Sequence, residues 1–184
     1  MQRDTSSTKF PLGSKLPKFE LLNVDGKKIS DSYLRGGNLA LVVFSCNHCP
    51  YVKGSEEQLV SLATKFEPQG LKTVVINSND AVQYPEDSFE NMKTKAASML
   101  LPYPYLYDET QSVAKSFDAA CTPEAYLFDA EMALVFHGTI NDNPRDKTQA
   151  KHEFLSEAII QALKGETLSP AFVHPIGCSI KWRN

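Results

Sequence analysis

Two cysteines separated by two residues, Cys46 and Cys49 in LVVFSCNHCPYVKG (41–54), have the residue type and spacing to do chemistry. Such a pair serves as half of a metal clip, as a structural disulfide, or as two thiols that cycle electrons. A free thiol of pKa about 8.5 is only about 3% ionised at pH 7. Lowering it to about 7 takes about 2 kcal/mol, which a helix N-terminus plus one or two N–H contacts to sulfur supplies. His48, between the cysteines, could stabilise a thiolate when protonated or relay a proton; its bland alternative is a solvent-facing helix residue. Pro50 stands in the first helical turn, where a missing N–H does little harm.

The elements around the pair alternate between strand and helix patterns. FELLNVDGKKIS reads as two short strands around an Asp25-Gly26 turn. LALVVF (39–44) is a continuous apolar, β-branched run suited to a strand covered on both faces. Val52, Leu59, Leu62, Ala63 and Phe66 then recur at helical spacing, with Gly70 as the stop. LKTVVINSN is a second buried strand. Pro85 announces another helix, with Asp87 and Glu90 at capping-box spacing and an inner stripe of Phe89, Met92, Ala96 and Met99. YPYLYD (103–108) is extended, TQSVAKSF is a short helix, PEAYLFD and ALVFHG form an antiparallel hairpin, and KHEFLSEAIIQALKG is the last helix. The pattern predicts an α/β fold, a central mixed sheet with helices on both faces. Residues 1–9 read as an N-terminal arm, 10–165 as the domain with an N-terminal β-hairpin extension, and 166–184 as an irregular tail packed on it. Phe172, Val173, Ile176, Ile180 and Trp182 would suit a free tail poorly.

Cys46 and Cys49 thus fall at the carboxyl end of a buried strand and the start of a helix, where open α/β sheets place their reaction sites. The 184 residues are 42% hydrophobic and 22% charged with net charge −3, and no basic run could neutralise a row of phosphates, so nucleic acid is not an expected partner. The N-terminal stretch has no apolar block of about 7–15 residues like that of a secretory signal, and no apolar run reaches about 18 residues. No membrane is expected, and the expected address is cytoplasmic, where lasting structural disulfides are rare.

FSCNHCPYV together with CTPEAYLFD resembles the thioredoxin fold, and more closely the peroxiredoxin-like (alkyl hydroperoxide reductase/thiol-specific antioxidant related) branch of that superfamily. INSND, YPEDSFENMK, PYLYDETQ and GCSIKW extend the resemblance over residues 10–184. It implies a thioredoxin-like fold with Cys46 as the exposed nucleophile and Cys49 as the shielded thiol that resolves a mixed disulfide. It also implies a cis bond at Thr122-Pro123, in a loop that faces the cysteines and offers backbone groups to an extended substrate. Two positions depart from thioredoxin: Ser45 replaces a tryptophan and Ala40 a buried acid, which leaves the proton acceptor for Cys49 unassigned. HCP also resembles the peroxidatic Cys-Pro of peroxiredoxins, which makes Cys49 the peroxide-reactive sulfur. Peroxiredoxins place Thr or Ser three residues earlier, where this chain has Cys46, and no arginine is assignable.

Cys121 and Cys178 read as small buried apolar groups or as additional redox thiols. A zinc set of Cys46, Cys49 and Cys121 with Cys178 or His48 is disfavoured, because the last two cysteines are single and far apart in sequence. No metal or cofactor is expected. Tyr103, Tyr105 and Tyr107 read as strand packing, His152 as a solvated helix residue, PEDSFENMK as an exposed helix start, and His137 and His174 as lacking a partner pattern. The expected function is a thiol-disulfide oxidoreductase cycling Cys46 and Cys49. A peroxidase using Cys49 is the alternative, and a non-catalytic thioredoxin-fold binding module the third reading. The expected partners are a disulfide-containing protein, a small thiol or peroxide, and a separate reductant.

Overall fold

The structure, a computed structural model, describes residues 9–183; the expected arm at 1–9 lies outside them except for Lys9. Strands β1 (Glu20–Asn23), β2 (Lys28–Ser30), β3 (Leu39–Ser45), β4 (Leu71–Asn77), β5 (Tyr105–Tyr107), β7 (Glu124–Phe128) and β8 (Leu134–Gly138) form one sheet in the order β2-β1-β5-β4-β3-β7-β8. A separate two-stranded ladder joins β6 (Cys121–Thr122) to β9 (Cys178–Ser179). The helices are α1 (Pro50–Phe66), α2 (Phe89–Met99), α3 (Ser112–Ser116) and α4 (Phe154–Leu163). This is the mixed α/β architecture expected of a thioredoxin-like chain, with the β1–β2 hairpin extending the sheet beyond β5.

β3 sits at the centre, parallel to β4 and antiparallel to β7. Its seven residues are all buried because successive side chains point to opposite faces and both faces are covered. Ala40, Val42 and Phe44 enter one core with Phe10, Phe117, Tyr126 and Phe128. Leu39, Leu41 and Val43 enter the other, with Leu59, Leu62 and Phe66 of α1, Met92 of α2 and Leu155 and Ile159 of α4. Helices therefore lie on both faces unequally, and on the first face α3 is supplemented by the N-terminal segment and the tail's Ile180. No helix among the described residues is long and apolar enough to cross a membrane.

Four local expectations change. α2 is capped by Ser88, whose side chain accepts from Asn91 N–H, so the capping residue is not Asp87. Met92 is its one buried residue, and the predicted inner stripe is shallower than its spacing suggests. His152 stacks on Phe154 before α4 begins, outside the helix. The tail is packed, as its composition predicts, but it is not wholly irregular. It bonds the edge of β8 through His137 N–H to Ala171 O and Val173 N–H to His137 O, then contributes β9.

His137, which has no partner pattern in sequence, is buried in β8 against Glu124 at 2.7 Å. The Glu124 carboxylate also accepts from the N–H groups of Ala120 and Cys121 and from the Tyr126 hydroxyl. Removing one member of such a network strands the others without water. Glu124→Ala is expected to lower stability by about 3–5 kcal/mol, read as a lower urea midpoint at unchanged slope; an unchanged midpoint would refute the role of the network.

Candidate active site

β3 ends at Ser45 and α1 begins at Pro50, so Cys46, Asn47, His48 and Cys49 form the turn between them. Cys49 is the N-cap residue and Pro50 takes the first helical position, where its fixed φ fits and no N–H is needed. Both cysteines therefore precede the helix instead of sharing its first turn, and His48 is a loop residue. Neither is an exposed nucleophile: Cys46 and Cys49 each have 0% exposure. Both are free thiols.

The Thr122-Pro123 peptide is cis, and its loop faces the pair. Thr122 touches both sulfurs, through Oγ1 to Cys46 Sγ at 3.4 Å and through its carbonyl O to Cys49 Sγ at 3.3 Å. β9 lies along the same loop, with Cys178 directly opposite Thr122. Cys178 packs against the cluster of Cys46, Cys49 and Val52 and is partly exposed. Cys121, the adjacent residue on β6, alternates to the other side of the ladder, where its sulfur approaches Pro123 O. It is partly buried, and burial followed by the charge of Glu124 pushes its pKa well above the ordinary thiol value.

The wall behind the pair comes from residues whose role was not visible in sequence. Asp87, expected in an exposed helix start, is completely buried. Its carboxylate accepts from Asn47 N–H at 2.6 Å and Asn79 Nδ2 at 2.7 Å, and it meets His48 Nδ1 at 2.6 Å. Asn77 Nδ2 donates to the Asp87 carbonyl. Tyr84 stacks on the His48 ring with an interplanar angle of 5°. Tyr105 does more than pack a strand: its hydroxyl donates to Asn47 Oδ1. Lys95 Nζ donates to the Cys46 carbonyl and is ion-paired with Glu56 of α1. The usable signal was NSND directly after a buried strand, because parallel β3 and β4 bring their carboxyl ends side by side.

Cys46 Sγ, an imidazole nitrogen of His48 and an Asp87 oxygen all lie within 4.8 Å of one another. Ligand atoms on one tetrahedral zinc at about 2.0–2.1 Å stand about 3.3 Å apart. The 2.6 Å His48–Asp87 contact is instead that of a hydrogen-bonded dyad poised beside the Cys46 sulfur. The two thiols are electrostatically unlike. The hydrogen bond from Cys46 holds the Cys49 thiol below its ordinary value, against burial and with help from Cys178 and the Val52 backbone. The same hydrogen bond, then burial and then the Asp87 charge push Cys46 up. Cys49 is thus the more acidic sulfur, at the helix N-terminus where an anion is favoured.

Residues 12–137 match the AhpC/TSA family. The chain belongs to the AhpC/TSA family. No curated protein sequence matches it. An uncharacterized conserved protein from Geobacillus kaustophilus is 45% identical, with a TM-score of 0.89 over 95% of this chain and 93% of that one. A hypothetical protein from Sinorhizobium meliloti 1021 is 36% identical, with a TM-score of 0.89 over 95% and 96% of the two chains. A thiol:disulfide interchange protein of the thioredoxin family from Chlorobium tepidum TLS shares the fold at 20% identity, with a TM-score of 0.64 over 82% of this AhpC/TSA chain and 97% of that one.

Two outcomes are expected. Thiolate absorbance of the reduced protein should show one step well below the ordinary 9.0 of a cysteine. Because a lowered pKa keeps the anion as pH falls, Cys49→Ser should remove that step, and Cys46→Ala should move it upward by removing the donor; a single step at the ordinary value would contradict the assignment. A β-carbon added at Gly177 would stand 2.2 Å from the Thr122 carbonyl O. Gly177→Ala should therefore push β9 off the loop and speed alkylation of Cys49; an unchanged rate would show that the tail does not cover it.

Proposed function

We propose that the protein is a thiol-disulfide oxidoreductase in which Cys46 and Cys49 alternate between dithiol and disulfide. The observation that carries this reading is a pair of unequal thiols packed together at a helix N-terminus, both touched by the residue before a cis-proline. Cys49, the more acidic sulfur, attacks the disulfide that reaches the pair and forms a mixed disulfide as one thiolate leaves. Cys46 then passes its proton to the His48–Asp87 dyad and attacks Cys49, releasing the other thiolate and leaving the Cys46–Cys49 disulfide. A separate thiol reductant restores the dithiol. This order reverses the sequence expectation, in which Cys46 leads. A protein disulfide is the favoured substrate class, and a reducing, cytoplasmic setting suits the cycle.

A second reading, peroxide reduction by Cys49, draws support from the acidity of that thiol and from membership of the AhpC/TSA family. Against it, the position three residues before Cys49 carries a thiol instead of a peroxide-orienting hydroxyl.

Peptide mapping after equilibration with oxidised and reduced dithiothreitol should find a reversible Cys46–Cys49 disulfide, and its absence would end the proposal. Cys46→Ser and Cys49→Ser should each reduce insulin-disulfide reduction to the uncatalysed rate. Rapid peroxide consumption by Cys46→Ser, lost in Cys49→Ser, would instead select the peroxidase.

A further inference from the structure

The two motif sulfurs have no solvent exposure, yet a disulfide exchange needs a sulfur that a partner can reach. Cys178 packs against the cluster of Cys46, Cys49 and Val52, interacts with the Cys49 sulfur and is partly exposed. Its position is built into the backbone. β9 pairs with β6 so that Cys178 faces Thr122, the residue in contact with both buried sulfurs. Gly177 permits that approach, since any side chain there would meet the Thr122 carbonyl. The following residues are held by buried polar groups: Ile180 N–H donates to Ala120 O, Lys181 N–H to Asn79 Oδ1, and Gln111 Nε2 to Lys181 O.

We propose that Cys178 is a third redox-active thiol, which carries disulfide exchange between the buried Cys46–Cys49 pair and the surface. The inference rests on the oxidoreductase reading above. Cys178 attacks one sulfur of an external disulfide, forming a mixed disulfide and releasing one thiolate; its proton passes to the Cys49 sulfur and on to that leaving group. Cys49 then attacks Cys178, releases the second external thiolate, and forms a Cys49–Cys178 disulfide. Cys46, losing its proton to the His48–Asp87 dyad, attacks Cys49, so that the Cys46–Cys49 disulfide forms and Cys178 leaves as a thiolate. Two electrons pass to the external disulfide, and the last exchange is redox-neutral within the chain.

Cys178 is held up to about 11, first by burial and then by hydrogen bonding to Cys49, so it rests as a thiol that donates to the Cys49 anion. Cys121 lies on the other side of the β6–β9 ladder and takes no part in the relay.

The test uses the full chain with Cys46→Ser, oxidised by glutathione disulfide and mapped by mass spectrometry under non-reducing conditions. The expected product is an intramolecular Cys49–Cys178 disulfide, with the loss of two hydrogens and no retained glutathione. Cys46→Ala serves as a second background should the serine disturb the turn. Adding Cys178→Ser to either background should leave Cys49 largely unmodified, because the entry thiol is gone and Cys49 is buried; a Cys49–glutathione mixed disulfide formed there as fast as the Cys49–Cys178 bond would overturn the relay. Retained glutathione on Cys49 while Cys178 is still present, or a bond to Cys121, would overturn the relay. The unsubstituted protein, mapped in parallel, separates the two readings: a Cys46–Cys49 disulfide there with no Cys49–Cys178 bond in the variants sinks the relay alone, and no Cys46–Cys49 disulfide sinks the oxidoreductase reading.

Discussion

The position of β3 between β4 and β7 is the constraint on which the site depends. Parallel pairing with β4 places Ser45 beside Asn77, so the turn carrying the cysteines and the polar run 77–80 leave the sheet at the same end. Antiparallel pairing with β7 places Phe44 beside Glu124, so the cis-proline immediately before β7 arrives at that end as well. Three segments far apart in sequence are brought to one point by ladder register alone. A one-residue slip would turn the alternating side chains of β3 to the wrong cores, which the filling of both faces forbids.

Around this end the protein buries a concentration of polar groups that would be costly without partners. Asp87 organises one side by accepting from the turn's backbone, from His48 and from Asn79. Glu124 organises the other by gathering His137, Tyr126 and two N–H groups of the cis-proline loop. The sulfurs lie between two carboxylate-centred networks, each of which fixes one wall. The acidity is distributed unequally within the pair because their shared hydrogen bond favours the Cys49 anion at the expense of Cys46, with burial and then the Asp87 charge further opposing ionisation of Cys46.

The sequence made the layers legible because periodicity records burial: LALVVF could only be a strand covered twice, and the β1–β2 hairpin was announced by its Asp-Gly turn. The cysteines and the cis-proline were legible because few residue types suit those positions. Asp87 was not, because a carboxylate beside a proline at a helix start looks the same whether solvated or buried, and only the neighbouring strand's register decides. The tail's contact with the pair was also hidden. Cys178 and Thr122 meet through a ladder of two residues, too short to impose an alternating pattern on the sequence. His137 was missed for a related reason, since its partner Glu124 lies on the adjacent strand, diagonally across the hairpin.

The chain has a single tryptophan, Trp182, and it lies four residues beyond Cys178 in the segment that covers the sulfurs. Its indole is half-buried against the first core, with Lys115 Nζ 5.9 Å above the ring. Any departure of β9 carries this ring from apolar packing into water and away from that cation. The protein therefore has its own optical gauge: its intrinsic fluorescence records whether the strap over the thiols is docked, without a label that would compete for the cysteines.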